Sequence, residues 1–152
     1  MSQSAHHRDH TFVLQHNFNR AAQMMKSGDP NLQRQAILIL QQLAEQGLAR
    51  AAYNVGIAHL RGFHVERSNA LAAQYLSRAA EAAYQKAFYP LARLILDDTL
   101  PQWKDMPSDL RRFKSAGWFW RAAQAGDTNA LAALRQPWVP AIFNTLGRGL
   151  YR

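Results

Sequence analysis

The sequence contains no cysteine, which excludes disulfide frameworks, zinc–thiolate sites and thiol nucleophiles together. It is also poor in acidic residues. Ten Asp and Glu stand against 18 Lys and Arg, a formal net charge of +8. No apolar run approaches the ~20 residues that a membrane-spanning helix needs. The N-terminus, Met1 to His10, is polar and has no apolar signal core. These absences lead to the expectation of a soluble, cytoplasmic protein that does not enter a membrane. Sustained period-two alternation is missing too, so strands are not expected and the fold class is all-α. There is no glycine-rich phosphate loop, no spaced metal-ligand motif and no nucleophile beside an orienting base. No catalytic residue, cofactor or metal is therefore expected, and the chain reads as a non-enzyme.

What is present is a recurring segment. Leu43-Ala44-Glu45-Gln46-Gly47-Leu48-Ala49-Arg50-Ala51 returns as Ala79-Ala80-Glu81-Ala82-Ala83-Tyr84-Gln85-Lys86-Ala87, and again as Ala122-Ala123-Gln124-Ala125-Gly126-Asp127-Thr128-Asn129-Ala130. Ala44 to Ala80 is 36 residues and Ala80 to Ala123 is 43. A period of some tens of residues is the signature of a stacked repeat array, and the 152 residues hold about four such units. The hydrophobic fraction of 48% is ample for a core continuous between layers.

Apolar residues spaced by three and four predict a first helix over Thr11 to Lys26, carried by Phe12, Leu14, Phe18, Ala21, Ala22 and Met25. Ser27-Gly28-Asp29-Pro30 reads as a stop and a restart, with a left-handed cap at Gly28 and proline at the first helical position. The second helix, to Gln46, carries Ile37 to Leu40 and Leu43, apolar on most of its circumference, and is expected between neighbours. Further helices are expected over about 48–60, 69–82, 85–96, 109–124 and 128–136, with a last one from Pro140 to Leu146 stopped by Gly147. Pro90 implies either a late start or a kink in its helix. Residues 97–108, with Pro101 and Pro107, form an irregular insertion that accounts for the longer second spacing. Residues 1–10 are expected as a flexible arm, 11–147 as one repeat domain and 148–152 as a tail. The His6, His7 and His10 group in that arm is read as mobile and polar rather than as a metal site.

Between the first two copies lies a fuller signature: Ala51, Val55, Gly56, His59, Gly62 and Val65, then Ala72, Tyr75, Leu76, Arg78, Ala79 and Ala80. It resembles the Sel1-like repeat, a tetratricopeptide-like class with two antiparallel helices per unit. The match extends over about 36–136. The resemblance implies a right-handed α-solenoid of three to four antiparallel helix pairs. Small residues at 51, 56, 72, 79 and 80 permit close helix approach, while Val55, Tyr75 and Leu76 fill the layer between units. Three departures stand out. His59 replaces an aromatic and is read as a core residue. His64 replaces a turn glycine, so that turn is expected to differ. Ala83 replaces another, so the fourth helix is expected to run on.

In this class the first helix of each pair lines the concave face. The resemblance thereby aims Arg50, Tyr53, Ile57 and Arg61 from one unit, and Lys86, Tyr89, Arg93 and Asp97 from the next, into a groove. Tyrosines between cations suit a protein or peptide partner with acidic and apolar side chains. The other reading leaves the tyrosines half-packed in the scaffold and the cations solvated. A non-enzymatic interaction adaptor is the leading expectation.

The excess charge is concentrated in residues 101–152, with 8 basic and 3 acidic residues. There Arg111, Arg112 and Lys114 precede Trp120 in a second, basic and aromatic patch. Cations interleaved with aromatics can hold single-stranded nucleic acid, which is the alternative. A chaperone or immunity protein for a secreted toxin is a further one that size allows and no residue selects. Trp103, Trp120 and Trp138 are unexplained by the repeat, and either pack internally or form a docking patch. The partner's identity and the oligomeric state are not encoded in any motif.

Overall fold

The computed structural model describes the backbone of residues 3–150 and side chains over 7–145. Among these, every regular element is helical: α1 (Gln3–Lys26), α2 (Pro30–Glu45), α3 (Ala49–Arg61), α4 (Asn69–Glu81), a 3-10 turn (Gln85–Ala87) running into α5 (Phe88–Ile95), α6 (Ser108–Gln124), α7 (Thr128–Leu134) and α8 (Trp138–Leu150). Successive helices pack on one another from α1 through α7, and α8 folds back onto α6. The result is a stack of helix pairs with one continuous core.

Local chemistry explains the boundaries. Asp29 accepts from the Asn31 amide at 2.8 Å, Ser68 from Leu71 at 3.1 Å and Asp127 from Ala130 at 3.0 Å, each satisfying an amide that the helix leaves free. Helix α6 starts at Ser108 after Pro107, with no side-chain cap. The three copies of the alanine segment close α2, α4 and α6 identically. The Leu48, Tyr84 and Asp127 amides reach back to the carbonyls of Leu43, Ala79 and Ala122 at 2.9–3.0 Å. Those of Gly47, Ala83 and Gly126 bond Ala44, Ala80 and Ala123 over the same distances. This paired closure is the Schellman motif, whose penultimate residue must be left-handed.

Several expectations change. Helix α4 does not run on: it ends at Glu81, and Ala83 itself takes the left-handed conformation at φ +62°. The turn at His64 is likewise kept rather than altered, with φ +53°. His64 Nε2 lies 2.8 Å from Gln33 Oε1, and Gln33 Nε2 donates to the Met25 carbonyl at 3.1 Å, tying this turn to the α1–α2 hairpin. Pro90 lies in the first turn of α5, where its missing amide costs nothing, so the late start holds. Residues 3–10 are the opening turns of α1 rather than a segment preceding it. The side chain of His6 is outside the described residues. Helix α8 begins at Trp138 and passes Gly147 to reach Leu150; of the expected tail, Tyr151 and Arg152 lie outside the described residues. Helix α2 is less enclosed than its sequence suggests, because Leu38 is 61% exposed.

Packing follows the small residues. Ala51, Ala72, Ala73 and Ala79 are fully buried, with Val55 and Leu76 wedged between them. Burial of each of these last two side chains stabilises by ~1.5–3 kcal/mol. Gly56 lets α3 approach α4: a Cβ there would stand 2.8 Å from Leu76 Cγ. His59 is buried in the core, stacked on Tyr75 at 5.9 Å. Its Nδ1 lies 3.0 Å from the Glu66 carbonyl, an acceptor, so Nδ1 carries the proton. Its role is structural: it pins the α3–α4 turn.

Candidate partner-binding groove

On α3, Arg50, Tyr53, Ile57 and Arg61 fall at spacings of three and four and so share one helical stripe. Their surroundings differ. The Arg50 guanidinium lies 4.3 Å from the centre of the Phe18 ring on α1, a cation–π contact that holds it half-buried. Tyr53 packs against Tyr84 at 5.3 Å between centroids. Burial raises the Tyr53 phenol above its usual range, Tyr84 adds to the rise, and Arg61 works against it. Ile57 is half-buried against the core, whereas Arg61 is exposed.

The second stripe is closer to the surface. Lys86, in the 3-10 turn, is exposed. Tyr89 rests its ring 5.6 Å from Phe119, and exposed Arg93 places Nη1 3.5 Å from the Tyr89 hydroxyl. Arg61, Lys86 and Arg93 have no carboxylate within salt-bridge distance among the described residues; Arg78 and Glu45, at 2.7 Å, do pair. Tyr89 and Arg93 wall an open cleft of about 410 Å³ with Leu60, Arg67, Asn69 and Asp97. Asp97 accepts from the Thr99 hydroxyl at 2.7 Å and from its amide at 2.9 Å. These bonds, with Asn69 and the positive charge of Arg111, hold its carboxyl below the ordinary value.

The structure thus gathers Tyr89, Arg93 and Asp97 at one cleft and leaves Arg50 and Tyr53 largely engaged by the scaffold. Register along first helices misses Arg67 and Asn69, which come from the α3–α4 turn and the start of α4. A signal exists in the basic residue two positions after the turn valine, Val65, but only the fold brings it to α5.

The second patch divides. At ~100° per residue, Trp120 projects from the side of α6 opposite Arg111, while Arg111 and Lys114, three apart, share a face and Arg112 lies between Arg111 and Trp120. Lys114 lies beside Trp118 and Arg121. The ring of Trp118 carries the Arg121 guanidinium at 4.6 Å and lies 5.4 Å from Phe88. Trp103 and Trp138 are half-buried against the core, while Trp120 is 57% exposed. The three unexplained tryptophans therefore divide. No helix among the described residues is long and apolar enough to cross a membrane.

No protein-family profile matches the chain. A solved Sel1 repeat protein from Oxalobacter formigenes is similar in fold, with a TM-score of 0.65 and 25% identity over 80% of this chain and 87% of that one. An uncharacterized protein of Neisseria meningitidis serogroup B is 34% identical over 113 residues, 74% of this chain. The chain spans only 22% of the length of that relative.

Proposed function

The chain is a Sel1-like repeat solenoid, and we propose that it acts as a non-catalytic adaptor that takes a partner protein or peptide along the α3–α5 face. The supporting observation is the cleft that Arg67, Tyr89 and Arg93 line together with Asp97, its two arginines, like Arg61 and Lys86, having no carboxylate within salt-bridge distance among the described residues. A rigid half-buried tyrosine offers contact area at low entropic cost, and unpaired arginines favour acidic side chains. Helical repeats present such surfaces because each unit spends its small residues on stacking and leaves one face variable. A cytoplasmic site of action belongs to the same proposal.

Affinity capture from cell extract, with mass spectrometry, identifies the partner. Arg93→Glu and Lys86→Glu should then reduce its recovery at least tenfold while leaving the melting transition in place. Full recovery with both variants means that the partner binds elsewhere. Trp120 lies across α6 from Arg111, and Arg121 caps the Trp118 ring; both count against the nucleic-acid reading, which needs free aromatic faces beside a continuous cationic track. Salt-sensitive binding of a generic single strand near physiological ionic strength would reinstate it.

A further inference from the structure

The insertion that lengthens the second spacing packs Leu100 into the core and borders an open cavity at its start. Leu96, Asp98, Arg111, Arg112 and Trp138 line a space of about 380 Å³ where the 96–107 connection meets the first turns of α6 and α8. Arg111 is half-buried here, and its Nε is shielded from solvent with no hydrogen-bond partner. A buried guanidinium donor without an acceptor is costly, and few native side chains tolerate it. Neither Arg111 nor Arg112 has a carboxylate within salt-bridge distance among the described residues, although Asp98 shares the cavity.

We propose that this cavity is a carboxylate-binding pocket, taking one acidic group of a peptide beside an apolar neighbour that rests on Trp138. The charge of the lining argues for this class. Two guanidinium groups face one lining carboxylate, Asp98, and Arg111 also acts on the nearby Asp97 carboxyl, so the site admits a singly charged group more readily than a dianion. A phosphate dianion would bring a second negative charge against Asp98. Arginine pairs bidentately with a planar carboxylate, and the indole of Trp138 with Leu96 supplies an apolar wall. The inference deepens the adaptor reading by naming an anchoring group for its partner. The pocket is formed by different residues from the α3–α5 cleft, so the two can fail separately.

The test uses the full chain labelled with 5-fluorotryptophan, whose four tryptophans give separate fluorine signals. Trp138→Phe assigns the relevant one. Four probes are titrated: acetylated glutamate amide, with only a side-chain carboxylate; acetylated glutamine, with only a terminal one; acetylated glutamine amide, with none; and inorganic phosphate. The Trp138 signal should move saturably with a carboxylate probe and not with the neutral amide, and the more effective acid identifies the source. Arg112 is exposed, so Arg112→Gln should fold normally and weaken that binding about tenfold or more. Arg93→Glu should leave it unchanged. An unmoved Trp138 signal, an equal response to the neutral amide, tighter binding of phosphate, or unchanged binding in Arg112→Gln overturns the proposal. Loss of partner capture in Arg93→Glu with no carboxylate response at Trp138 would retain the groove and discard the pocket; the converse would retain the pocket alone.

Discussion

Gly47 and Ala83 occupy the same left-handed position one repeat apart, at φ +91° and +62°. Both donate to the carbonyl three residues back at about the same distance, 3.0 and 2.9 Å. An L-residue in this conformation costs ~1–2 kcal/mol, and glycine avoids it. A Cβ at Gly47 would meet nothing within 4 Å, so the backbone alone sets the difference. Gly47→Ala should destabilise by ~1 kcal/mol. Ala83→Gly should stabilise by ~0.5–1 kcal/mol, the gain being reduced because glycine loosens the unfolded chain. Urea denaturation of both variants measures the pair. Equal effects in the same direction would mean that the closures are not equivalent.

Gly56 and Gly117 are both helical glycines, and the same replacement should have opposite signs. A Cβ at Gly117 would meet nothing within 4 Å, so Gly117→Ala should stabilise by ~0.5–1 kcal/mol through helix propensity. At Gly56 a Cβ would come to 2.8 Å from Leu76 Cγ, inside a side chain with no exposure. Overpacking of ~1–3 kcal/mol outweighs the propensity gain there. Thermal unfolding should therefore fall for Gly56→Ala and rise for Gly117→Ala. Combining Gly56→Ala with Leu76→Ala should cost less than the sum of the two single effects.

The helix boundaries are legible in the sequence because Gly28, Asp29, Pro30, Gly47, Ser68, Gly126 and Asp127 each carry a backbone reason to stop or start a helix. Ala83 and His64 mislead for the complementary reason. Their residue type disfavours the left-handed conformation, which the backbone adopts at both positions all the same. Gly147 misleads in another way, since a glycine weakens a helix without ending it. Of the residues that register aims at a groove, Tyr89, Arg93 and Asp97 meet at one cleft and those of α3 do not line it, while Arg67 reaches it through a tertiary approach that no spacing encodes. The basic run of α6 misleads because Trp120, nine residues after Arg111, falls on the opposite side of the helix.

Two ionisable groups predict opposite pH responses. The carboxyl of Asp97 is lowered from 3.8, chiefly by its bonds from Thr99. Its contribution to stability is therefore complete above pH 3.8 and is lost as the pH falls below it. The phenol of Tyr53 is raised from 10.0, chiefly by burial. Its contribution is complete below pH 10.0 and is lost as the pH rises beyond it, because the folded state retains the proton longer. Urea midpoints across pH should show Asp97→Asn flattening the acid limb and Tyr53→Phe the alkaline limb. A variant whose limb matches the wild type would remove that group from the pH dependence.

Arg50 separates scaffold from binding surface. The guanidinium 4.3 Å from the centre of the Phe18 ring joins α3 to α1, and the site is half-buried. Such a contact contributes ~0.5–2 kcal/mol, depending on desolvation. Arg50→Ala should thus lower stability, and Phe18→Leu should lower it too. The double variant should recover ~0.5–1 kcal/mol relative to additivity, because the second change finds the contact already gone. Lys86 and Arg93 lack such a ring or carboxylate partner among the described residues, so Lys86→Ala and Arg93→Ala should stay within ~0.5 kcal/mol of the wild type. If Arg50→Ala proved neutral and additive with Phe18→Leu, the Arg50 side chain would be free in solution and would rejoin Arg61, Lys86 and Arg93 as a cation available to the partner.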